Sequence, residues 1–303
     1  MSAHIYAALS ALLAAGVSCA MLPFISLWDH SLSSARRRSL YDKSAGQVES
    51  LTALLQILFA FALAADLFFD GCINRRMAGP WGFVWESLVI ASAAAALCSV
   101  VVLFVRRGGK MAFGLLSGLT ALLSACLLSL LVWGGCLGVF TVGMNGEDAA
   151  VRSFLIVMDA LTGINFLVFA GYSFFLGLTS AYALALCWHI LCRNHDDFGR
   201  DFYTFTLNMR SRQAFSSGLL LLIAAGAMFW LNPSVDASRA LGLLPFAGEY
   251  ALEAYNAGFS CIPAALAFWY GMMRAELPMQ KRSMAFAALL LCAFSAYFVL
   301  GRI

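Results

Sequence analysis

Charge is scarce in this sequence. Asp, Glu, Lys and Arg supply 12% of its 303 residues, about half the share usual in soluble globular proteins. Hydrophobic residues make up 62%, and so few charges cannot cover so apolar an interior in water. A soluble enzyme, a nucleic-acid reader and a disordered tail are excluded on this ground. Paired metal ligands are missing too. The nine cysteines are scattered, mostly inside apolar runs, and the closest pair, Cys187 and Cys192, is five apart. With no CxxC and no CxxCH, a zinc site, a cysteine-ligated iron–sulfur cluster or a c-type haem has no support. Such cysteines read as small buried hydrophobes. Nucleotide motifs (a P-loop, GxGxxG) and long soluble insertions are absent as well. Histidine is limited to His4, His30, His189 and His195. A haem held between His30 and His189 is one alternative. The reading adopted is a chain without haem or metal, its histidines solvated or capping.

What the sequence has is long apolar runs. A helical bilayer crossing takes about 20 predominantly apolar residues. Eight runs qualify, near 4–28, 50–69, 82–105, 111–134, 153–182, 213–231, 247–273 and 284–301. The breaks carry charge or turn residues, such as Arg36-Arg37-Arg38, Asn145-Gly146-Glu147-Asp148 and Asn232-Pro233-Ser234. The run from 153 continues to about residue 192 and reads as one long tilted helix; a break at Gly171 is the alternative, giving nine spans. The expected fold is all-α, a single transmembrane domain over 1–303 with eight helices in an antiparallel bundle, possibly as two groups of four. Gly134 and Gly138 in the fourth span have the spacing of a close helix contact, with ordinary packing as the simpler account.

Basic residues in short loops mark the cytoplasmic side. Alternate loops carry fourteen Lys and Arg, from Arg36 through Arg210 and Arg212 to Arg282, and the opposite side carries five (Arg75, Arg76, Arg152, Arg239 and Arg302). This places both termini outside a cell inner membrane. No basic residue precedes the first apolar run, so that run reads as a permanent helix and lacks the n-region of a signal peptide.

Charge inside a membrane helix is costly enough to mark a functional candidate. Asp66 falls about a turn inside the outer end of span two, and Glu86 about a turn inside span three. Asp159 is roughly two turns into span five. Glu249 and Glu253, four apart and on one face, begin span seven, and Arg302 ends span eight. At 1.5 Å per residue these groups lie within about 10 Å of the outer interface. Trp81, Trp85, Tyr250 and Tyr255 share that level, either as an interfacial belt or as walls of a pocket for a flat ring. The inner halves read as nearly free of acid, without the ladder of a proton path across the bilayer.

Three local patterns carry a resemblance. Span two ends in Asp66 and is followed by Arg75, Arg76, Gly79 and Pro80; span three opens with Trp85-Glu86-Ser87; span eight ends in Leu300-Gly301-Arg302. With the eight-span layout, these make the chain similar to the membrane anchor subunits of molybdopterin oxidoreductases. That group comprises the dimethyl sulfoxide reductase anchors and the related polysulfide and nitrite reductase membrane subunits. The sequence departs from that pattern at Asp66, where the anchors carry a histidine, and at Phe298, where they carry an acid. The first six spans also loosely resemble the quinol-binding half of cytochrome bd subunit I, without its haem-ligand histidines and with Met158 near one of their places.

The first resemblance implies an anchor that exchanges electrons between menaquinone or ubiquinone and a docked iron–sulfur subunit, which serves a molybdopterin catalytic subunit. Metal chemistry would then reside in the partners. In this reading Asp66, Glu86 or Asp159 accepts the quinol proton, Arg302 orients the acid or a quinone oxygen, and Trp81, Trp85 and Glu253 line the slot. Two other classes stand beside it. A secondary transporter would use the outer acids as a vestibule and show paired broken helices, for which Thr162, Asn165 and Pro263 are hints. A structural subunit would hold partners without chemistry.

Overall fold

In lipid, backbone groups must be bonded within the element itself, which favours helices. The computed structural model of the protein describes residues 3–36, 39–68, 82–106, 110–141, 164–196, 198–231 and 249–300. Among the described residues the regular structure is helical: α1 (Ala3–Arg36), α2 (Ser39–Phe68), α3 (Gly82–Val105), α4 (Lys110–Thr141), α5 (Ile164–Cys192), α6 (Arg200–Leu231), α7 (Glu249–Met273) and α8 (Arg282–Leu300). A short 3-10 helix, Pro278–Lys281, joins the last two. Five segments, Ala11–Arg36, Ser39–Phe68, Trp85–Val105, Gly114–Val132 and Leu167–Cys192, are long and apolar enough to cross a bilayer. The chain is a multi-pass membrane protein, all-helical among the described residues.

The distribution of side chains is that of a protein in lipid. Phe61, Phe104 and Leu115 are at least 70% exposed, while serine, threonine, glutamine and charged side chains are found inside. Several hydroxyls in the interior are satisfied by their own helices: Ser18 donates to Ala14 O, Thr52 to Val48 O and Thr120 to Leu116 O. This back-bonding lets small polar residues sit within apolar helices.

Each helix packs against its neighbours in sequence. In addition, α4 returns to α1 and α8 returns to α5, so α1–α4 and α5–α8 form two four-helix groups of the same order. The seam is α1 against α5. Partners on α1 and α2 pair in reverse order, His30 with Asp42, Asp29 with Ser44 and Ser26 with Glu49. Gly177 makes the seam close: a Cβ there would lie 2.8 Å from the Val17 carbonyl oxygen. Small residues permit such backbone approach between membrane helices.

One expectation changes and one holds. The helices outrun the apolar stretches, so the described parts of 29–49 and 200–212, expected as inner loops, belong to α1, α2 and α6. Their polar side chains find partners inside the protein, which removes the need to leave the helix for water. The helix also continues through Gly171, so α5 has no break there.

The seam gives a test. Gly177→Val should destabilise the protein by about 1–3 kcal/mol, the usual cost of overpacking, in denaturant unfolding in mixed micelles. Gly171→Val, where a Cβ would meet nothing within 4 Å, should leave unfolding almost unchanged.

Candidate functional site

Among the described residues, buried charge lies where α1 ends, α2 begins, α3 ends and α5 meets α6, here called the basic end. Two linked networks form there. The first is centred on Arg210 of α6, which is fully buried. Its Nη2 donates to Asp29 Oδ2 of α1, itself fully buried, and to Ser44 Oγ of α2 at 3.0 Å. Nη1 donates to Gln213 Oε1 at 2.9 Å, and Nε points at His189 Nε2 of α5 at 3.5 Å. One guanidinium thus reaches α1, α2 and α5 from α6.

His189 continues the network. Nε2 faces the guanidinium and so acts as acceptor; Nδ1 therefore carries the proton and donates to Gln47 Oε1 at 2.6 Å. Gln47 Nε2 donates in turn to Asp196 Oδ2 at 2.5 Å. A buried charge requires a partner and hydrogen bonds, and this chain of contacts supplies them. Asp29 Oδ1, however, has no hydrogen-bond partner among the described residues.

The second network lies within the first four-helix group. Glu49 of α2 is 6% exposed and accepts from Ser26 Oγ at 3.1 Å. Its Oε1 is 2.8 Å from His30 Nε2, and its Oε2 is 3.3 Å from Arg106 Nη1. His30 Nδ1 lies 3.1 Å from Asp42 Oδ1. Arg106 also donates from Nη2 to the Asp42 carbonyl oxygen at 3.0 Å. Gly46 makes room for it, because a side chain there would collide with the guanidinium.

Glu49 borders a small, open groove between α1, α2, α3 and α4, with a cavity volume of ≈ 20 Å³, room for about one ordered water. Pro23, Leu27 and Val102 give it apolar walls, while Ser26, Thr52, Ser99, Ser117 and Thr120 give it hydroxyls. Ser117 Oγ is buried without a hydrogen-bond partner among the described residues. Deeper along α2, Gln56 receives a hydrogen bond from Ser99 Oγ and donates to Ser124 Oγ at 3.1 Å. The groove therefore combines a carboxylate, a neighbouring imidazole, a cation and a hydroxyl with spare capacity, within an apolar frame.

The residues singled out in the sequence lie elsewhere. Asp66 is half-buried near the other end of α2, Glu86 is exposed on α3, and Trp85 is buried in the core. Trp85 and Glu86 thus present to different surroundings. Trp81, Asp159 and Arg302 lie outside the described residues, as do Arg75, Arg76, Arg152, Met158 and Thr162. Glu249, Tyr250, Glu253 and Tyr255 belong to α7, with side chains outside the description.

The reading of the inner halves as nearly free of acid is corrected by Asp29 and Glu49. His189, expected as solvated or capping, is fully buried, and protein groups face both ring nitrogens of His30 and His189. Arg210, counted above as a loop charge, neutralises a buried acid instead. Their signal was present: Asp29-His30 follows an apolar run without a turn dipeptide, and Asp42 and Glu49 are two helical turns apart on one face.

Among the described residues no cluster of His, Cys, Asp and Glu could hold a metal ion. Compared with models of protein families, with curated proteins and with solved structures, the chain matches none.

The Arg210 network gives a second prediction. Arg210→Met should cost about 3–5 kcal/mol, because Asp29 is left charged and unpaired in the interior. Asp29→Leu combined with Arg210→Met should recover most of that loss in the same unfolding assay.

Proposed function

We propose that the chain is a quinone-reactive membrane subunit, with eight antiparallel spans and both termini outside, serving an iron–sulfur subunit and a molybdopterin catalytic subunit. The basic end then faces the cytoplasm. The ligand is menaquinone or ubiquinone. The observation that supports this reading is the Glu49 groove: a buried carboxylate against imidazole and guanidinium, framed by apolar residues and free hydroxyl capacity. A quinol requires an acceptor for each proton it loses and a donor to its oxygens, in an apolar slot that shields the ring. Glu49 fits the first role and Ser117 the second. The electrons pass to the iron–sulfur partner, so this chain supplies binding, orientation and proton exchange.

The outer acids remain a second location for the same chemistry. There Asp66, Glu86 and Asp159 would accept protons, with Arg302, Trp81, Trp85 and Glu253 around the ring. A transporter is the second reading, favoured by the two four-helix groups of equal order, since internal repeats are common in transporter folds.

Purification from native membranes in mild detergent separates these readings. The quinone account expects bound quinone on extraction, a co-purifying iron–sulfur subunit, and quinol-driven reduction of its clusters. Glu49→Gln should slow that reduction at least ten-fold, while Asp66→Asn and Glu86→Gln leave it within two-fold; the reverse pattern moves the site to the outer end. A solitary oligomer without quinone, active in uptake, replaces the account with the transporter.

A further inference from the structure

We propose that Glu49, His30 and Asp42 form a proton path between the groove and water at the basic end. The proposal deepens the quinone reading, because it assigns a route to the proton that the groove's occupant exchanges. Exposure rises along the chain of groups, from 6% at Glu49 to 18% at His30 and 56% at Asp42. The gaps between them are 2.8 Å and 3.1 Å, both within direct proton-transfer distance. Histidine suits the middle position because its two nitrogens can receive a proton on one side and release one on the other.

The step balances without an electron. Glu49 takes a proton from the occupant at Oε1, and the Nε2 lone pair of His30 accepts it, restoring the carboxylate. The doubly protonated ring releases its Nδ1 proton to Asp42 Oδ1, and Asp42 passes it to water. Net transfer is one proton from groove to solvent; a quinol's electrons go to the iron–sulfur partner.

Arg106 is a positioning residue on this path. It sits 3.3 Å from Glu49 Oε2 and 3.9 Å from Asp42 Oδ2, so it holds both carboxylates at the ends of the path. Among the described residues, Asp29, Arg36 and Lys43 are the neighbouring charges on the same helices: Asp29 is engaged by Arg210, Arg36 donates to Tyr41 at 3.2 Å, and Lys43 lies over the Phe198 ring. Deeper in the first group, Gln56 meets Ser99 and Ser124, all neutral groups. Glu49, His30 and Asp42 lead from the groove to the basic end.

Infrared spectroscopy of the full chain in nanodiscs tests the path. A protonated-carboxyl band that vanishes in Glu49→Gln is expected on acidification, and its exchange in D2O reports access to water. His30→Gln, which keeps a hydrogen-bonding group without a titrating ring, should slow that exchange at least ten-fold, and Asp42→Asn should slow it several-fold. Gly46→Ala, which displaces Arg106, should shift the frequency of the band, which reports the hydrogen bonds made by the Glu49 carboxyl. An unchanged exchange rate in His30→Gln, or no titrating Glu49 band at all, overturns the path. Quinone binding measured on the same samples keeps the failures apart. Binding with unaltered exchange removes the relay alone, and altered exchange without binding removes the quinone reading alone.

Discussion

The arrangement of the two halves depends on one ion pair with no exposure to solvent, Asp29 with Arg210. Moving a charge from water into a membrane protein's interior costs several kcal/mol even after relaxation. That cost is offset only while the partner and the surrounding hydrogen bonds are in place. Any packing of α1 against α5 and α6 that parts the two groups leaves an acid and a guanidinium stranded. Compared with an apolar substitute such a pair adds little net stability, and its demand for a partner disfavours registers that separate the two groups. Ser44, Gln47 and His189 extend the constraint to α2 and α5, so the seam is specified by hydrogen-bond geometry as well as by the close contact at Gly177.

That constraint also positions the groove. Asp29 and His30 are consecutive on α1, and Ser44, Gln47 and Glu49 lie within two turns of α2. The same two helical segments present one set of groups to the seam and another to the first four-helix group. Fixing Asp29 against Ser44 and Arg210 therefore fixes His30 against Glu49 and Asp42. A structural network and a chemical one share a backbone, and the mobility of one limits that of the other.

Much of the architecture was legible in the sequence because bilayer crossing imposes length and apolarity on each helix. The helix Gly82–Val105 falls where the apolar run does, and the continuity of α5 through Gly171 followed from the lack of a turn dipeptide. The site was less legible. Helix ends were drawn where apolarity stops, so Asp29, His30, Asp42 and Glu49 were assigned to a loop. Apolarity reports contact with lipid, whereas these residues are helical through contact with one another. Arg210 was misread for the same reason: a count of loop charges does not show which of them faces a buried acid. Pairings such as Gln47 with His189, or Arg210 with Asp29, join distant positions and have no one-dimensional trace.

The quinone proposal places a redox-active lipid ring in the polar groove beside Glu49. An electron cryo-microscopy map of the purified complex with a tight-binding quinone analogue would locate that ring. Ring density is expected between α1, α2, α3 and α4, within hydrogen-bonding distance of Glu49 and Ser117. Ring density at the opposite end of the helices, near Asp66 and Glu86, with the Glu49 groove empty or closed, contradicts that placement.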